Sequence, residues 1–351
     1  MRTTPGVPRD DGPGIVPLSA VDPIGLLQRA GATGSPVLEV VLERARTGSR
    51  PGARADGHRV CVAIEGGGMR GAVSAGMGVV LEAAGLVQAF DRIYAVSAGA
   101  VNGWGLAAGQ AALSATYYQD ALSHRVVNPL RPLVRQPVID FDLLFDELIA
   151  ARKPLPFDAL AGGPELRMLA TSMETHGLRV LSGFADMAEL VAATRASMSL
   201  PRLSGAPSTF RGERMADGAL VEPIPFESAL REGATHVLVL RSRPAAYRQP
   251  ALVAIGESLT QRSDPTLQEL LRTRHAVYNR QAAKLEDAMG DGAAHVLQVT
   301  VGEDARGVGR FETNGERVAE ALRAGARAMA SAILTDPIDL CWQPVVYRAA
   351  R

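Results

Sequence analysis

The stretch Val60-Cys61-Val62-Ala63-Ile64-Glu65-Gly66-Gly67-Gly68-Met69-Arg70-Gly71 contains the change of pattern from which the rest of the chain can be read. Its first five residues are apolar and rich in β-branched types, the length and composition of a buried strand. Three glycines end the run, and small and apolar residues continue to Glu82 as a helix. A glycine-rich strand-to-helix junction leaves backbone N–H groups unobstructed at a helix N-terminus, where they face negative charge. The pattern then recurs. Arg92 to Val96 reads as a second strand, Ser97 stands at its end, and Ala98-Gly99 opens a helix running to about Ala108.

Strands alternating with helices imply parallel pairing, so the expected fold is a three-layer α/β/α sandwich around a mostly parallel central sheet. Further strands are expected at Leu166 to Thr171, near Val180 after a turn at His176-Gly177, at His236 to Leu240 and at His295 to Val301. Helices are expected at Met187 to Ser197, ending at Pro201, and at about Pro265 to Met289 and Gly315 to Leu334. Residues 1–55 read as a Pro/Gly-rich arm with one short helix, Val37 to Arg44, able to dock on the main body. Residues 56–240 form the expected core, and 241–351 complete the same domain. Within the core, residues 121–157 break the rhythm. Apolar Val126, Val127, Leu130, Leu133 and Val134 alternate with Arg125, Arg131 and Arg135 before a helix-like run from Phe141 to Ile149. The segment reads as an excursion whose helix packs on the core; the alternative is a cap or a lipid-contacting element.

Composition narrows the function class. With 351 residues, 47% apolar, the chain can bury one large core, and 37 basic residues balance 37 acidic ones. That balance supplies no global field toward nucleic acid or an anionic membrane. Lys153 and Lys284 are the only lysines, a bias that reads as genomic base composition and implies no partner. Two cysteines, Cys61 and Cys341, exclude a disulfide scaffold, and Cys61 reads as a small buried hydrophobe in a reducing compartment. The N-terminus lacks the apolar segment of a secretory signal, and no run approaches the roughly 18 apolar residues of a spanning helix. The expected location is therefore cytoplasmic, with peripheral membrane contact left open.

The chemistry lies at the two junctions. Ala95-Val96-Ser97-Ala98-Gly99 has the form A-x-S-x-G, one residue away from the G-x-S-x-G nucleophile elbow. It follows the glycine loop by one β-α unit, which puts both at the carboxyl ends of adjacent strands, where open α/β sheets bind ligands. A serine hydroxyl needs a base. His236 and His295 stand at strand starts, the opposite end of the sheet, and His275 falls in mid-helix. Asp217, in Met215-Ala216-Asp217-Gly218-Ala219, falls on a strand-end junction that a parallel sheet would place beside the elbow. A rival reading uses Gly66, Gly68 and Gly71 as the G-x-G-x-x-G of dinucleotide binding, but the second strand ends in Val96-Ser97 rather than in the expected acidic residue. No cluster of His, Cys or carboxylates has metal-ligand spacing, so neither metal nor cofactor is expected.

Together Gly66-Gly67-Gly68-Met69-Arg70-Gly71, the elbow at Ser97 and Asp217-Gly218-Ala219 resemble the patatin-like phospholipases, marked by G-G-G-x-[RK]-G, G-x-S-x-G and D-G-[GA] in that order. The resemblance spans about residues 60–230 and includes Arg195-Ala196-Ser197-Met198-Ser199-Leu200-Pro201, similar to the A-S-x-x-x-P segment of the family. Ala95, in place of the first elbow glycine, is the departure. The resemblance implies a Ser-Asp dyad in which Ser97 attacks an ester carbonyl and Asp217 accepts its proton. It also implies an oxyanion hole from the amides of Gly66, Gly67, Gly68 and Met69, with Arg70, Gly71, Ala98, Gly99 and Gly218 in support. Arg70 is expected to anchor the loop. The implied substrate is an acyl ester of a lipid. A histidine-dependent hydrolase, a nucleotide-binding protein and a non-catalytic binding module stand as alternatives, and the oligomeric state is open.

Overall fold

The computed structural model describes residues 15–17, 30, 34–119, 123–200, 203–205, 207–252, 264–290, 293–303, 307–334 and 339–341. Most of the N-terminal arm and Pro201 therefore lie outside the described residues. The strands are β1 Ile15–Pro17, β2 Val60–Ile64, β3 Arg92–Val96, β4 Glu165–Ser172, β5 Leu178–Leu181, β6 Ser208–Phe210, β7 Glu213–Asp217, β8 His236–Leu240, β9 His295–Val299 and β10 Asp339–Cys341. The main helices are α1 Pro36–Arg46, α2 Gly71–Ala83, α3 Ala98–Ala107, α4 Ala111–Gln119, α5 Met187–Met198, α6 Phe226–Arg231, α7 Pro265–Ala288 and α8 Gly315–Ile333.

Eight strands form one sheet in the order β6-β7-β4-β3-β2-β8-β9, with β5 on β4, while β1 and β10 pair separately. The run β4-β3-β2-β8-β9 is parallel throughout. Residues alternate between faces, as a pleated strand requires. Val62 and Ile64 enter one core, with α1, α2, α3, α5 and α8, while Cys61 and Ala63 enter the other, with α6 and α7. The result is a three-layer α/β/α sandwich. Cys61 is fully buried, and burial pushes its thiol up to about 12.

The strand carrying Asp217 departs from the expectation of a parallel neighbour. β7 runs antiparallel to β4, pairing Ala170 with Asp217 and Ser172 with Met215. β5 occupies one edge of β4 at Met168–Thr171, so β7 must share the other edge with β3, whose last pair is Val96 opposite Leu169. β3 and β7 thus meet end to end, and the two chain segments converge where each strand stops. The turn at His176-Gly177 and the return strand β5 lie where the sequence places them. β9 is shorter than expected, ending at Val299.

The excursion between α4 and β4 packs on the core as read. Leu143–Arg152 is wound as a π-helix that buries Leu144, Phe145, Leu148 and Ile149. Arg195 on α5 bridges to Asp142 and Asp146 and lies 4.9 Å over the Phe145 ring.

Helices α2 and α8 approach backbone to backbone. A Cβ at Gly76 would collide with the Leu322 carbonyl, and one at Gly325 with the Val73 carbonyl. Since neither neighbour is a movable side chain, Gly325→Ala is expected to destabilise the fold by about 1–3 kcal/mol or more through overpacking. Gly57→Ala, where nothing lies within 4 Å, should leave stability nearly unchanged. Urea denaturation of the two variants checks this.

Candidate active site

Ser97 ends β3 with φ 57° and ψ −133°, a conformation that an L side chain rarely adopts and that lifts the hydroxyl out of the sheet. Three close approaches hold it. A Cβ at Gly66 would lie 2.7 Å from Ser97 Cβ, and one at Gly99 2.7 Å from the Ile64 carbonyl. The Ser97 amide donates to Ser197 Oγ at 3.1 Å, and Ser197 Oγ donates to the Leu169 carbonyl at 2.6 Å. Ala95 fits the turn because its methyl faces Gly103 on α3, where a Cβ would come within 2.8 Å.

Ser97 Oγ donates to Asp217 Oδ2 at 2.7 Å. The other carboxylate oxygen, Oδ1, accepts the Ala219 amide at 2.8 Å, so the carboxylate is oriented by backbone. The Asp217 backbone is pinned as well: its N–H donates to the Ser199 carbonyl at 2.6 Å, and its carbonyl accepts from Thr171 Oγ1 at 2.9 Å. Gly218 is required because a side chain there would collide with the Leu169 carbonyl. Asp217 is buried, and burial raises its pKa above the ordinary 3.8; the bonds from Ala219 and Ser97, then Arg274 and Arg310, oppose the shift.

The glycine loop turns at Gly67 and Gly68, with φ 152° and 61°, into a short 3₁₀ turn Gly68–Arg70 and then α2. Among the described residues the amides of Gly66, Gly67 and Gly68 have no backbone acceptor, whereas the Met69 amide donates to the Arg310 carbonyl at 3.0 Å. Met69 therefore differs from the three glycines with which the sequence grouped it: its donor is already occupied. Arg70 lines the cleft with its Nε buried and without a hydrogen-bond partner. Burial first, then Arg243 and Arg310, lowers its pKa. No anchoring hydrogen bond from Arg70 accompanies this placement among the described residues.

Behind the loop lies a polar network that sequence reasoning missed. Glu65 and Arg241 are both buried, joined at 3.0 Å. Glu65 also accepts the Ser242 amide at 2.7 Å and the Tyr278 hydroxyl at 2.8 Å, while Ser242 Oγ donates to the Gly66 carbonyl at 2.7 Å. Arg241 continues to Tyr278 and Gln298. The only sequence signal was a charge at the end of each of two apolar strands, Ile64-Glu65 and Leu240-Arg241, which become adjacent in the sheet.

Ser97 and Asp217 open on a cleft lined by Gly66, Gly67, Gly68, Arg70, Arg243, Arg274 and Arg310. Arg243 lies 3.7 Å over the Tyr247 ring. A second, almost wholly apolar chamber, with Met69, Val101, Val126, Val127 and Leu144 in its walls, shares Gly68, Ala98, Ile139, Met198 and Arg310 with the cleft. No histidine among the described residues lines either space. His236 and His295 sit instead at the first positions of β8 and β9, their rings 5.0 Å apart, and burial first, then His58 and His295, lowers His236 to about 4. His275 lies on α7, its Nδ1 3.0 Å from the Arg272 carbonyl. No group of three metal-ligating side chains occurs among the described residues, and no described helix is long and apolar enough to cross a membrane.

Residues 62–230 match the family profile described as patatin-like phospholipase. The matched stretch contains Ser97, Asp217 and the glycine loop, whereas Arg243, Arg274, Tyr278 and Arg310 come from the chain beyond it. Among solved structures, VipD from Legionella pneumophila is similar at 14% identity and a TM-score of 0.39, over 81% of this chain and 69% of that one. Human GIVD cytosolic phospholipase A2, solved with methyl γ-linolenyl fluorophosphonate and terbium chloride, is similar at 14% identity and a TM-score of 0.38, over 89% of this chain and 63% of that one. No curated protein matches the chain significantly.

The buried pair beside the glycine loop is expected to be costly to break. Arg241→Met leaves Glu65 buried without its cation and should cost about 3–5 kcal/mol. Adding Glu65→Gln should restore a large part of that loss. Chemical denaturation of the single and double variants, read as a cycle, checks both values.

Proposed function

We propose that the chain is a serine lipid acyl hydrolase working through a Ser97-Asp217 dyad. The observation that carries the reading is the 2.7 Å hydrogen bond from Ser97 Oγ to Asp217 Oδ2, made from a strained elbow and oriented from behind by the Ala219 amide. The match of residues 62–230 to the patatin-like phospholipase profile supports lipid as the substrate class.

In this mechanism Ser97 Oγ attacks the carboxylic ester carbonyl as its proton passes to Asp217. The carbonyl oxygen becomes an oxyanion held by loop amides, with Gly67 and Gly68 the natural donors since Met69 is engaged by Arg310. Collapse breaks the ester C–O bond, and the leaving alkoxide takes the proton from Asp217 and departs as the alcohol. Water then attacks the acyl-Ser97 ester, giving its proton to Asp217; the second collapse returns that proton to Ser97 and frees the fatty acid. Burial of Asp217 suits it to this exchange, because a carboxylate with a raised pKa is a stronger base. The apolar chamber beside Ala98 suits an acyl chain. The four arginines of the cleft favour an anionic group next to the ester, which supports a phospholipid over a neutral acylglycerol.

Ser97→Ala and Asp217→Asn are each expected to lower kcat on a chromogenic ester by about 10³-fold or more while leaving the circular dichroism spectrum unchanged. His236→Ala, His275→Ala and His295→Ala should retain activity. Retention in Asp217→Asn, or loss in one correctly folded histidine variant, would sink the dyad.

The pH profile has a defined sign. Asp217 acts only when deprotonated, and its pKa is raised, so kcat/KM should climb with pH and reach half its plateau above the ordinary aspartate value of 3.8. An acid limb at or below that value would contradict the assigned base.

A further inference from the structure

We propose that the loop between Asn128 and Val138 is a membrane-docking tip that seats the protein on an anionic lipid surface, beside the chamber that takes the acyl chain. The proposal builds on the lipid-hydrolase reading above, but its first test does not use activity.

Six large apolar side chains are exposed among the described residues, and three of them fall within five positions: Leu130 at 69%, Leu133 at 82% and Val134 at 68% exposure. Their exposure is built in. The base of the loop is closed by the antiparallel bridge between Val127 and Ile139, with the Asn128 amide on the Val138 carbonyl and the Asp140 amide on the Val126 carbonyl, both at 2.8 Å. The tip is a 3₁₀ turn, Arg131–Val134, ended by Arg135 with φ 59°. Arg131 reaches back to the carbonyls of Arg125 and Val126 and, at 3.4 Å, to Asp140. An ordered turn thus projects leucine and valine outward, an arrangement that costs free energy in water and gains it in an interfacial layer.

Charge selects the surface. Arg125 and Arg135 are exposed beside the apolar tip and Arg131 is partly so, and the acid facing them, Asp140, is held by Arg131. The next acids along the chain, Asp142 and Asp146, are bridged to Arg195. Arginines around an apolar tip fit anionic headgroups, each contributing roughly fivefold to binding. Location gives the contact a purpose. Val126, Val127 and Ile139 at the base of the tip line the apolar chamber together with Ala98, the neighbour of Ser97. Docking through this loop brings lipid to the wall of that chamber.

The test is sedimentation of the full chain with sucrose-loaded vesicles of phosphatidylcholine, alone or with one quarter phosphatidylserine. Wild type should bind the anionic vesicles better, and salt should weaken the difference. Leu130→Ser/Leu133→Ser should lower the partition coefficient about tenfold or more, and Arg125→Gln/Arg135→Gln should abolish the preference for phosphatidylserine. Both variants should keep wild-type circular dichroism and wild-type turnover of a water-soluble short-chain ester. No vesicle binding by wild type, or undiminished binding by the leucine variant, overturns the proposal. So does a wild-type dimer, seen by analytical ultracentrifugation, that the leucine variant abolishes, because the tip would then be covered by a second copy. If Ser97→Ala proves as active as wild type while the tip variants lose vesicle binding, the hydrolase reading fails and the docking surface stands.

Discussion

Two strands meeting end to end along one edge of a third is the constraint on which this molecule depends. β3 arrives from one direction and stops at Val96; β7 arrives from the other and stops at Asp217; β4 pairs with both through Leu169 and Ala170. A serine and an aspartate at the ends of those strands are forced together across a gap that one hydrogen bond fills. The junction leaves little room, which accounts for Gly218 against the Leu169 carbonyl and Gly66 against Ser97. It also leaves backbone groups without strand partners, and Ser197 satisfies two of them, the Ser97 amide and the Leu169 carbonyl.

Around this point the fold accepts electrostatic costs. Asp217 is buried against its preference, with a raised pKa, and Glu65 and Arg241 form a buried ion pair directly behind the glycine loop. A buried pair of this kind contributes little net stability but a defined geometry when every lone pair is used. Here Ser242 and Tyr278 complete the set on Glu65, and Ser242 extends the network to the Gly66 carbonyl. The network thus ties the start of the glycine loop to β8 and α7.

The site extends past the matched domain. Arg243 follows β8, Arg274 and Tyr278 lie on α7, and Arg310 precedes α8, where its carbonyl occupies the Met69 amide. Residues 241–334 therefore complete both the sheet, through β9, and the lining of the cleft. The excursion of residues 123–152 supplies the remaining wall, through Val126, Val127, Ile139 and Leu144. The Ser97–Asp217 cleft and the apolar chamber share lining residues, and the exposed tip rises from Val127 and Ile139 in the chamber wall.

Much of this was legible in the chain because the signals are local. The apolar runs 60–64, 93–96 and 237–240 fall in strands, since a strand covered on both faces favours apolar residues. The glycine loop and the elbow are legible for the same reason: only small residues fit where backbones touch. By itself the sequence determined the alternation of strands and helices, the parallel core of the sheet and the candidates Ser97 and Asp217. Tertiary structure decided what depends on which edge of a strand a distant segment takes. It set β7 antiparallel, so that Asp217 reaches Ser97 from the opposite direction. It joined Glu65 to Arg241, 176 positions apart in the chain, gave the Met69 amide to Arg310 and kept His236 and His295 at the far end of the sheet. Hydrophobic periodicity records which residues are buried, whereas pairing direction and long-range hydrogen bonds arise only when the segments compete for the same edge and the same buried donors.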